Sequence, residues 1–411
     1  MNEPTKDPKA IAESVPPTGN WRRNMWSVWL GELFAIAGFN AAMPFLPYFV
    51  QELGVTAPGQ VEIWTGLLSS SGAWAMAVMS PIWGSLGDRF GRKLMLTRAL
   101  FGGAVLIGAM ALASNVQHLL VLRTMQGAVT GTVAAAYTLV AASTPPDKRT
   151  YALSIVQMGV YLGASLGPTL GGLAVDVWGY RASFALTGLL LACGGVMVSL
   201  LVREERADTG HKDPPSLASG LRLALASRAV LAVFAVRFLV DIGLRIVNPL
   251  LPLFVQFLSA DQARLASVTG LINSATMITT TVGTLFAARY SERLGTRRVL
   301  WVSLVGTALC YIPQAAVHST DQLLILKALS GLAMGGVLST LSAELAAAAP
   351  EGRQGTVFGL QSTVHSIANA IGPLIGGALA ASYGIRQPFA VGGLVLAAAA
   401  GLLILNRSRA A

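Results

Sequence analysis

Residues 43–51 read Met-Pro-Phe-Leu-Pro-Tyr-Phe-Val-Gln, and residues 248–256 read Asn-Pro-Leu-Leu-Pro-Leu-Phe-Val-Gln. The same shift of 204 or 205 residues places residues 119–123, Leu-Leu-Val-Leu-Arg, on residues 323–327, Leu-Leu-Ile-Leu-Lys. A register that holds over most of the chain indicates that the second half is a copy of the first. The sequence therefore predicts two equivalent structural units.

The composition is that of a membrane protein. Of the 411 residues, 54% are hydrophobic and only 12% are charged, whereas soluble domains carry about 25% charged residues. This excludes an ordinary cytosolic enzyme, a disordered tail and a disulfide scaffold. Cys193 and Cys310 lie in apolar runs, so neither a disulfide framework nor a metal site is expected. The net charge of +10 fits basic loops better than a nucleic-acid partner.

The apolar residues form twelve stretches, each long enough for a helix that crosses a bilayer. The expected spans cover approximately residues 26–50, 61–83, 95–114, 118–142, 151–175, 182–202, 229–256, 266–288, 299–317, 321–346, 356–381 and 387–406. We expect no cleavable signal peptide, because the first 24 residues are polar. The predicted parts are a tail (1–24), a six-helix bundle (25–202), a polar linker (203–228) and a second six-helix bundle (229–406).

The distribution of positive charge predicts the orientation. With the N-terminus in the cytoplasm, most of the 29 Lys and Arg residues fall in cytoplasmic segments, as the positive-inside rule requires. Only Arg181, Arg264 and Arg386 then fall on the far side of the membrane. Both termini and the linker are therefore expected in the cytoplasm. Two parallel six-span repeats are typical of transporters that rock two bundles around a site near the bilayer midplane.

The segment after the second span reads Gly-Ser-Leu-Gly-Asp-Arg-Phe-Gly-Arg-Lys at residues 84–93. It resembles the G-x-x-x-D-R-x-G-R-K loop of the major facilitator superfamily at every position. The resemblance implies a conformational latch on the cytoplasmic side. Asp88 can cap a helix N-terminus and pair with arginines, and Gly91 permits a tight turn. A basic loop that only follows topology is the alternative. The expected latch residues are Gly84, Asp88, Arg89, Gly91, Arg92 and Lys93.

Span five carries a row of small residues, which lets another helix approach closely, and a proline, which permits a bend. Helix packing alone would explain this row, but its Gly-Pro-x-x-Gly-Gly ending is similar to the antiporter motif of the superfamily's drug-export branches. This similarity favours export over import. The residues of the row are Gly159, Gly163, Gly167, Pro168, Gly171 and Gly172.

The resemblance covers Asn20 to about residue 400 and is strongest to the bacterial, twelve-span drug:proton antiporters. It implies an all-α membrane protein whose 12 transmembrane helices form two pseudo-symmetric six-helix bundles, the major facilitator fold. It also implies a monomer in the bacterial cytoplasmic (inner) membrane. Such a protein exports small amphipathic drugs by alternating access, driven by the proton gradient with no other cofactor. We find no metalloprotease or phosphate-loop motif, and do not expect an enzyme.

A charged side chain inside a membrane span costs free energy, so the charged residues of the predicted spans are candidate sites. Arg237, Asp241 and Arg245 are spaced four apart and share one helix face. Glu32 occupies the position equivalent to Arg237. We hypothesise that Glu32 lies within reach of these charges, binds a proton when unpaired and releases it beside Arg237. Arg123 resembles the arginine that proton-coupled relatives use in proton handling; snorkelling to the surface is its alternative.

Two alternatives stay open. The charges of span seven could form a permanent salt-bridge network that fixes helix register. Close relatives mostly lack this charge set, so Arg237 and Arg245 could instead bind an anionic or zwitterionic metabolite or lipid in an importer or exporter. Three further residues are candidates for contact with substrate or proton. Asn40 lies on a face of span one similar to that of Glu32, Tyr137 could stack on a planar ligand, and His365 belongs to a polar row of span eleven and could titrate near neutral pH.

Overall fold

The computed structural model describes residues 21–204, 228–259, 264–348 and 354–405. The predicted tail and most of the predicted linker lie outside these residues. The described part consists of α-helices with short 3-10 turns. The helices are α1 (Trp21–Ala42), α2 (Leu46–Glu52), α3 (Gln60–Phe90), α4 (Arg92–Met110), α5 (Val116–Val129), α6 (Thr132–Ser143), α7 (Arg149–Trp178), α8 (Tyr180–Leu201), α9 (Arg228–Val247), α10 (Leu251–Leu258), α11 (Leu265–Leu294), α12 (Thr296–Gln314), α13 (Thr320–Ala348), α14 (Gln354–Tyr383) and α15 (Gln387–Leu405).

These fifteen helices form twelve spans, because three spans are broken. Spans one (α1–α2) and seven (α9–α10) are interrupted by 3-10 turns at Met43–Phe45 and Asn248–Leu250, where a proline lacks the N–H that an α-helix needs. Span four breaks between α5 and α6, where Gly131 has a φ of 140°. By length and composition, nine of the described helical segments are long and apolar enough to cross a membrane. The remaining spans, α3, α9–α10 and α12, pack within the same two bundles.

Each half has its own core, and the helix packing repeats. Phe49, Leu100 and Phe184 are fully buried in the first core, and Phe254 and Phe389 are fully buried in the second. In the first half α1 packs against α7 and α8, and in the second half the equivalent α9 packs against α14 and α15. The two six-helix bundles that the sequence repeat predicts are therefore present.

The bundles meet where α7 packs on α11 and α3 packs on α14. We call the end of the molecule where α8 ends, at Leu201, the linker face, and the opposite end the far face. Close to the far face, two hydrogen bonds join the side-chain amides of Gln51 and Gln256, at 2.9 and 3.0 Å. These glutamines are equivalent in the repeat, so the pair lies on the pseudo-two-fold axis. Tyr48 adds a 2.6 Å hydrogen bond to the carbonyl of Pro252.

Glycines allow this close contact between the bundles. A Cβ on Gly172 would lie 2.5 Å from the carbonyl oxygen of Ala266, and a Cβ on Gly377 would lie 2.5 Å from that of Glu62. Gly270 packs in the same way against the carbonyl of Pro168, and Gly66 against that of Pro373. These four contacts are related in pairs by the repeat. We call the six residues Gly66, Pro168, Gly172, Gly270, Pro373 and Gly377 the far-face seam.

Candidate functional site

Glu32 is a nearly isolated carboxyl group at mid-depth of the first bundle. Its side chain is only 1% exposed. One oxygen, Oε2, accepts a hydrogen bond of 3.3 Å from the hydroxyl of Thr132, at the start of α6. The other oxygen, Oε1, is buried without a hydrogen-bond partner among the described residues. Nearby, Tyr137 donates a hydrogen bond to Gln157 of α7. Among the described residues, the contacts of Glu32 therefore include a hydroxyl group but no paired cation.

The second bundle holds a cluster with an ion pair at similar depth. Arg237 Nε donates a 2.7 Å hydrogen bond to Oδ2 of Asp241, one turn further along α9. His365 of α14 places its Nδ1 3.2 Å from the same oxygen. Asp241 is 3% exposed, so water screens these contacts little. The structure thus brings together three of the predicted residues, Arg237, Asp241 and His365. The contact between His365 and Asp241 was not predicted from the sequence.

Arg245 continues the row along α9. Its Cβ packs against Gly372 of α14, and its guanidinium lies within electrostatic range of Asp241 and Tyr311. Tyr311 also contacts Lys327, whose Nζ lies 4.9 Å from the ring centroid. Lys327 is 2% exposed and makes no ion pair among the described residues. Its charge is stabilised mainly by the aromatic face.

Arg123, the repeat equivalent of Lys327, is stabilised in a related way. Its guanidinium lies 5.5 Å from the ring centroid of Phe39 and donates a hydrogen bond to the side chain of Gln126. Arg123 is thus held inside the first bundle by local partners, which is not the geometry of a side chain that snorkels to the surface. Asn40 donates to the carbonyl of Ile36 in its own helix, so its amide is occupied locally.

The structure shows Glu32 in one of the two arrangements that the sequence hypothesis describes, the one without a paired arginine. No ion pair within 4.0 Å joins Glu32 and Arg237 among the described contacts, so the pairing that would release the proton stays a prediction for another conformation. Arg237 has a closer carboxylate, Asp241, one helical turn away. Equivalence in the repeat fixes the depth of two residues but not the distance between them across the molecule. Thr132, the partner of Glu32, was not identified from the sequence.

The segment at residues 84–93 also differs from the expected loop. It is helical up to Phe90, and the turn is confined to Gly91, which has a φ of 106°, a conformation that glycine adopts readily. The side chain of Asp88 lies outside the described part of the structure. Arg89 lies over the ring of Phe90, with 5.3 Å between the guanidinium carbon and the ring centroid.

The N-terminus of α4 is capped by Glu204, which the sequence analysis did not identify. Its two carboxylate oxygens each accept a 2.8 Å hydrogen bond, from the backbone N–H groups of Arg92 and Lys93. Lys93 Nζ donates a further 2.7 Å bond to the carbonyl of Ser199. An anion at this position satisfies N–H groups that have no partner within the helix, and it interacts favourably with the positive end of the helix dipole. The basic segment is therefore bound to the end of α8 and to the first residues of the predicted linker.

The glycine row of α7 has two separate structural roles. Gly159, Gly163, Gly167 and Gly171 pack against the backbone or side chains of α1 within the first bundle. Pro168 and Gly172 face α11 instead and belong to the far-face seam. Helix packing therefore explains the four-residue repeat, whereas the Gly-Pro-x-x-Gly-Gly ending forms part of the contact between the bundles.

Comparison with known proteins places these features in a family. The sequence profile of the Major Facilitator Superfamily matches residues 28–263 and 233–411. The "Multidrug resistance protein MdtG" of Serratia proteamaculans is 34% identical over 383 residues, which are 93% of both chains. The protein of that name from Yersinia enterocolitica is 33% identical over 93% of this chain and 92% of its own. That from Salmonella typhimurium is 32% identical over 92% and 94%.

Solved structures agree on the fold. A bacterial homologue of the human lysosomal transporter Spinster, in an inward-facing unoccupied conformation, has a TM-score of 0.76 at 16% identity, over 95% of this chain and 97% of its own. An autoinhibited peptide transporter of the POT family has a TM-score of 0.78 at 14% identity, over 94% and 97%. The prediction of twelve spans in two pseudo-symmetric bundles is confirmed, and so is the prediction of a multi-pass transporter of small molecules rather than an enzyme.

Proposed function

We propose that this chain, which belongs to the Major Facilitator Superfamily, exports small amphipathic compounds across the bacterial cytoplasmic membrane in exchange for protons. The names of its bacterial relatives support a multidrug exporter. The observation that carries the proposal is the environment of Glu32, a buried carboxyl group whose described partner is a single hydroxyl. Without a nearby cation, burial of a carboxylate is expensive, so this site favours a bound proton.

The proposed orientation follows from the positive charges. The linker face is cytoplasmic and both termini lie in the cytoplasm. The far-face seam then closes the outer side, and the described conformation is the one that receives substrate from the cytoplasm. In this conformation Glu32 carries a proton before substrate binds. A cationic substrate that enters the first bundle would compete with this proton for the carboxylate, and Tyr137 borders the same region.

The second cluster has a different proposed role. Asp241 is already neutralised by Arg237 and contacted by His365, so it holds α9 to α14 and offers less free charge to a substrate. The same pairing argues against the alternative in which Arg237 and Arg245 bind an anionic or zwitterionic compound, because Arg237 is occupied. We propose that the chain acts as a monomer, since each bundle supplies its own cluster.

Proton release on substrate binding tests this assignment. The purified protein in weakly buffered detergent is titrated with ethidium, a planar lipophilic cation, while a pH dye reports released protons. We expect about one proton per bound ethidium for the unaltered chain and none for Glu32→Gln. The matched control is Glu52→Gln, because Glu52 forms an exposed ion pair with Arg181.

The outcomes separate the possible carriers. Proton release that persists in Glu32→Gln but disappears in Asp241→Asn would assign the proton to the second cluster and overturn the role of Glu32. Proteoliposomes supply the second measurement. If an imposed pH gradient drives no ethidium transport in the unaltered protein, the proposed antiport of this kind of substrate is wrong.

A further inference from the structure

A groove of about 400 Å³ lies on the surface of the second bundle, between α11 and α12, with α13 as its floor. α12 packs mainly on α13 and α15 and touches α11 little, which leaves the groove open at the side. Rim residues such as Phe286, Tyr290 and Val302 are more or less half exposed. In a bilayer these side chains face lipid. The residues that line the groove include Gly283, Ala287 and Tyr290 of α11, Arg298 and Val302 of α12, and Gly336 of α13.

The first bundle shows that the fold does not require this groove. The repeat places Trp83 at the position of Ala287 and Met79 at the position of Gly283. Trp83 donates a 2.6 Å hydrogen bond from its indole N–H to the carbonyl of Ala128. The guanidinium carbon of Arg98 lies 3.5 Å from its ring centroid. The equivalent volume is therefore filled by an indole ring in one half of the molecule and open in the other.

The dimensions of the groove match one leaflet of a bilayer. It extends along α11 from Gly283 to Leu294, at the linker face. At a rise of 1.5 Å per residue these residues span roughly 16 Å, about half of a 30 Å hydrocarbon core. One acyl chain that lies along α11 therefore reaches from the membrane surface almost to the midplane.

A cation stands at the membrane-surface end of the groove. Arg298 is exposed, and among the described residues it makes no hydrogen bond or ion pair. Arg293 and Arg297 are close to it in the sequence, so the local charge is strongly positive. The equivalent position in the first bundle is Leu94, which has no charge. Basic pockets between membrane helices at this depth bind anionic lipid headgroups.

We propose that this groove binds an anionic diacylphospholipid from the leaflet at the linker face. One acyl chain lies against Gly283, Ala287 and Gly336, and the headgroup phosphate accepts hydrogen bonds from Arg298. The apolar wall supplies affinity for any acyl chain, and the arginine supplies the preference for negative charge. This site is independent of the proposed transport function, because its residues lie outside both acid–base clusters.

Native mass spectrometry of the purified full chain tests the proposal. The probes are phosphatidylglycerol and phosphatidylcholine with identical acyl chains. The unaltered protein should retain phosphatidylglycerol about fivefold better than phosphatidylcholine, the preference expected from one arginine near the surface. Arg298→Leu, which copies the first bundle, should remove this preference, whereas Arg149→Leu, the same charge change at the linker face of the first bundle, should keep it.

Filling the groove tests the position of the acyl chain. Ala287→Trp, which again copies the first bundle, should abolish retention of both lipids at this site. Leu285→Trp is the matched control, since Leu285 is 70% exposed on the same helix. Equal retention of the two lipids by the unaltered protein would overturn the proposal. It would also fail if Arg298→Leu kept the preference.

A measurement on the unaltered chain does not depend on how the variants fold. Phosphatidylglycerol with a photoreactive diazirine in one acyl chain should label peptides between residues 283 and 302. Excess phosphatidylglycerol should reduce this labelling about fivefold more effectively than phosphatidylcholine. Labelling spread evenly over lipid-facing peptides would show only bulk lipid and would refute a defined site.

Discussion

Substitution of Gly172 by alanine should open the far face. The added Cβ would lie 2.5 Å from the carbonyl oxygen of Ala266, whereas ordinary van der Waals contacts begin near 3.4 Å. The obstacle is backbone, which cannot rotate away as a side chain does. α7 and α11 must therefore separate by roughly an ångström, at a cost of about 1–3 kcal/mol.

This cost falls on one conformation only. In a state where the bundles have parted at the far face, Gly172 and Ala266 no longer touch, and the substitution is harmless there. A difference of about 1–3 kcal/mol between two states changes their ratio by roughly 5- to 150-fold. Gly172→Ala should accordingly deplete the far-face-closed state by that factor.

Spin-label distances measure this ratio. Labels on cysteines at Thr56 and Ser382, exposed on the far face in opposite halves, report the separation of the bundles in a background without Cys193 and Cys310. Gly377→Ala, whose Cβ would lie 2.5 Å from the carbonyl oxygen of Glu62, should produce a similar shift. Gly108→Ala is the control, since its Cβ meets nothing within 4 Å. An unchanged distance distribution in both seam variants would refute the reasoning.

Two further predictions concern single interactions. Glu204→Ala should lower the stability of the protein by about 1–2 kcal/mol, the usual cost of a lost helix N-cap. Glu204→Gln should cost less because an oxygen acceptor remains. Thermal unfolding in one detergent measures both variants, and an unchanged unfolding midpoint in Glu204→Ala would contradict the prediction. Asp241→Leu should cost about 3–5 kcal/mol because it leaves Arg237 buried without its counter-charge, and the double variant with Arg237→Met should recover most of this loss. A double variant no more stable than Asp241→Leu alone would contradict the ion pair.

The repeat in the sequence was sufficient to predict the architecture. A bilayer core admits only α-helices and closed barrels, and the apolar stretches have the length of helices. The constant register indicated that the two halves are equivalent. It also matched Gln51 with Gln256, but it did not predict their hydrogen bonds. That contact requires the two equivalent residues to lie beside the symmetry axis, and an alignment contains no information about the position of the axis.

The partners of the site residues were harder to predict. Glu204 caps α4 across a separation of 112 residues from Arg92, and in sequence it belongs to a charged run that is typical of a solvated linker. In this conformation Arg237 pairs with Asp241 of its own helix, at the favourable i, i+4 spacing, and not with Glu32. Short-range pairs follow from helix geometry, whereas contacts between helices depend on rotation and tilt, which hydropathy does not fix.

The two halves share their mechanics but not their chemistry. The far-face seam is built from equivalent glycines and prolines, so both bundles would take part in the proposed opening and closing in the same way. At mid-depth the equivalence ends, because Glu32 corresponds to Arg237, and only the second half adds Asp241 as a counter-charge. In the proposed cycle the ion pair of Arg237 and Asp241 can remain buried, whereas a buried carboxyl without a counter-charge is stable only with a proton. The duplicated chain therefore has equivalent contacts between its bundles but different buried charges in each. In the proposed mechanism this difference lets Glu32 of the first half bind and release a proton, while the ion pair of the second half holds its helices in register.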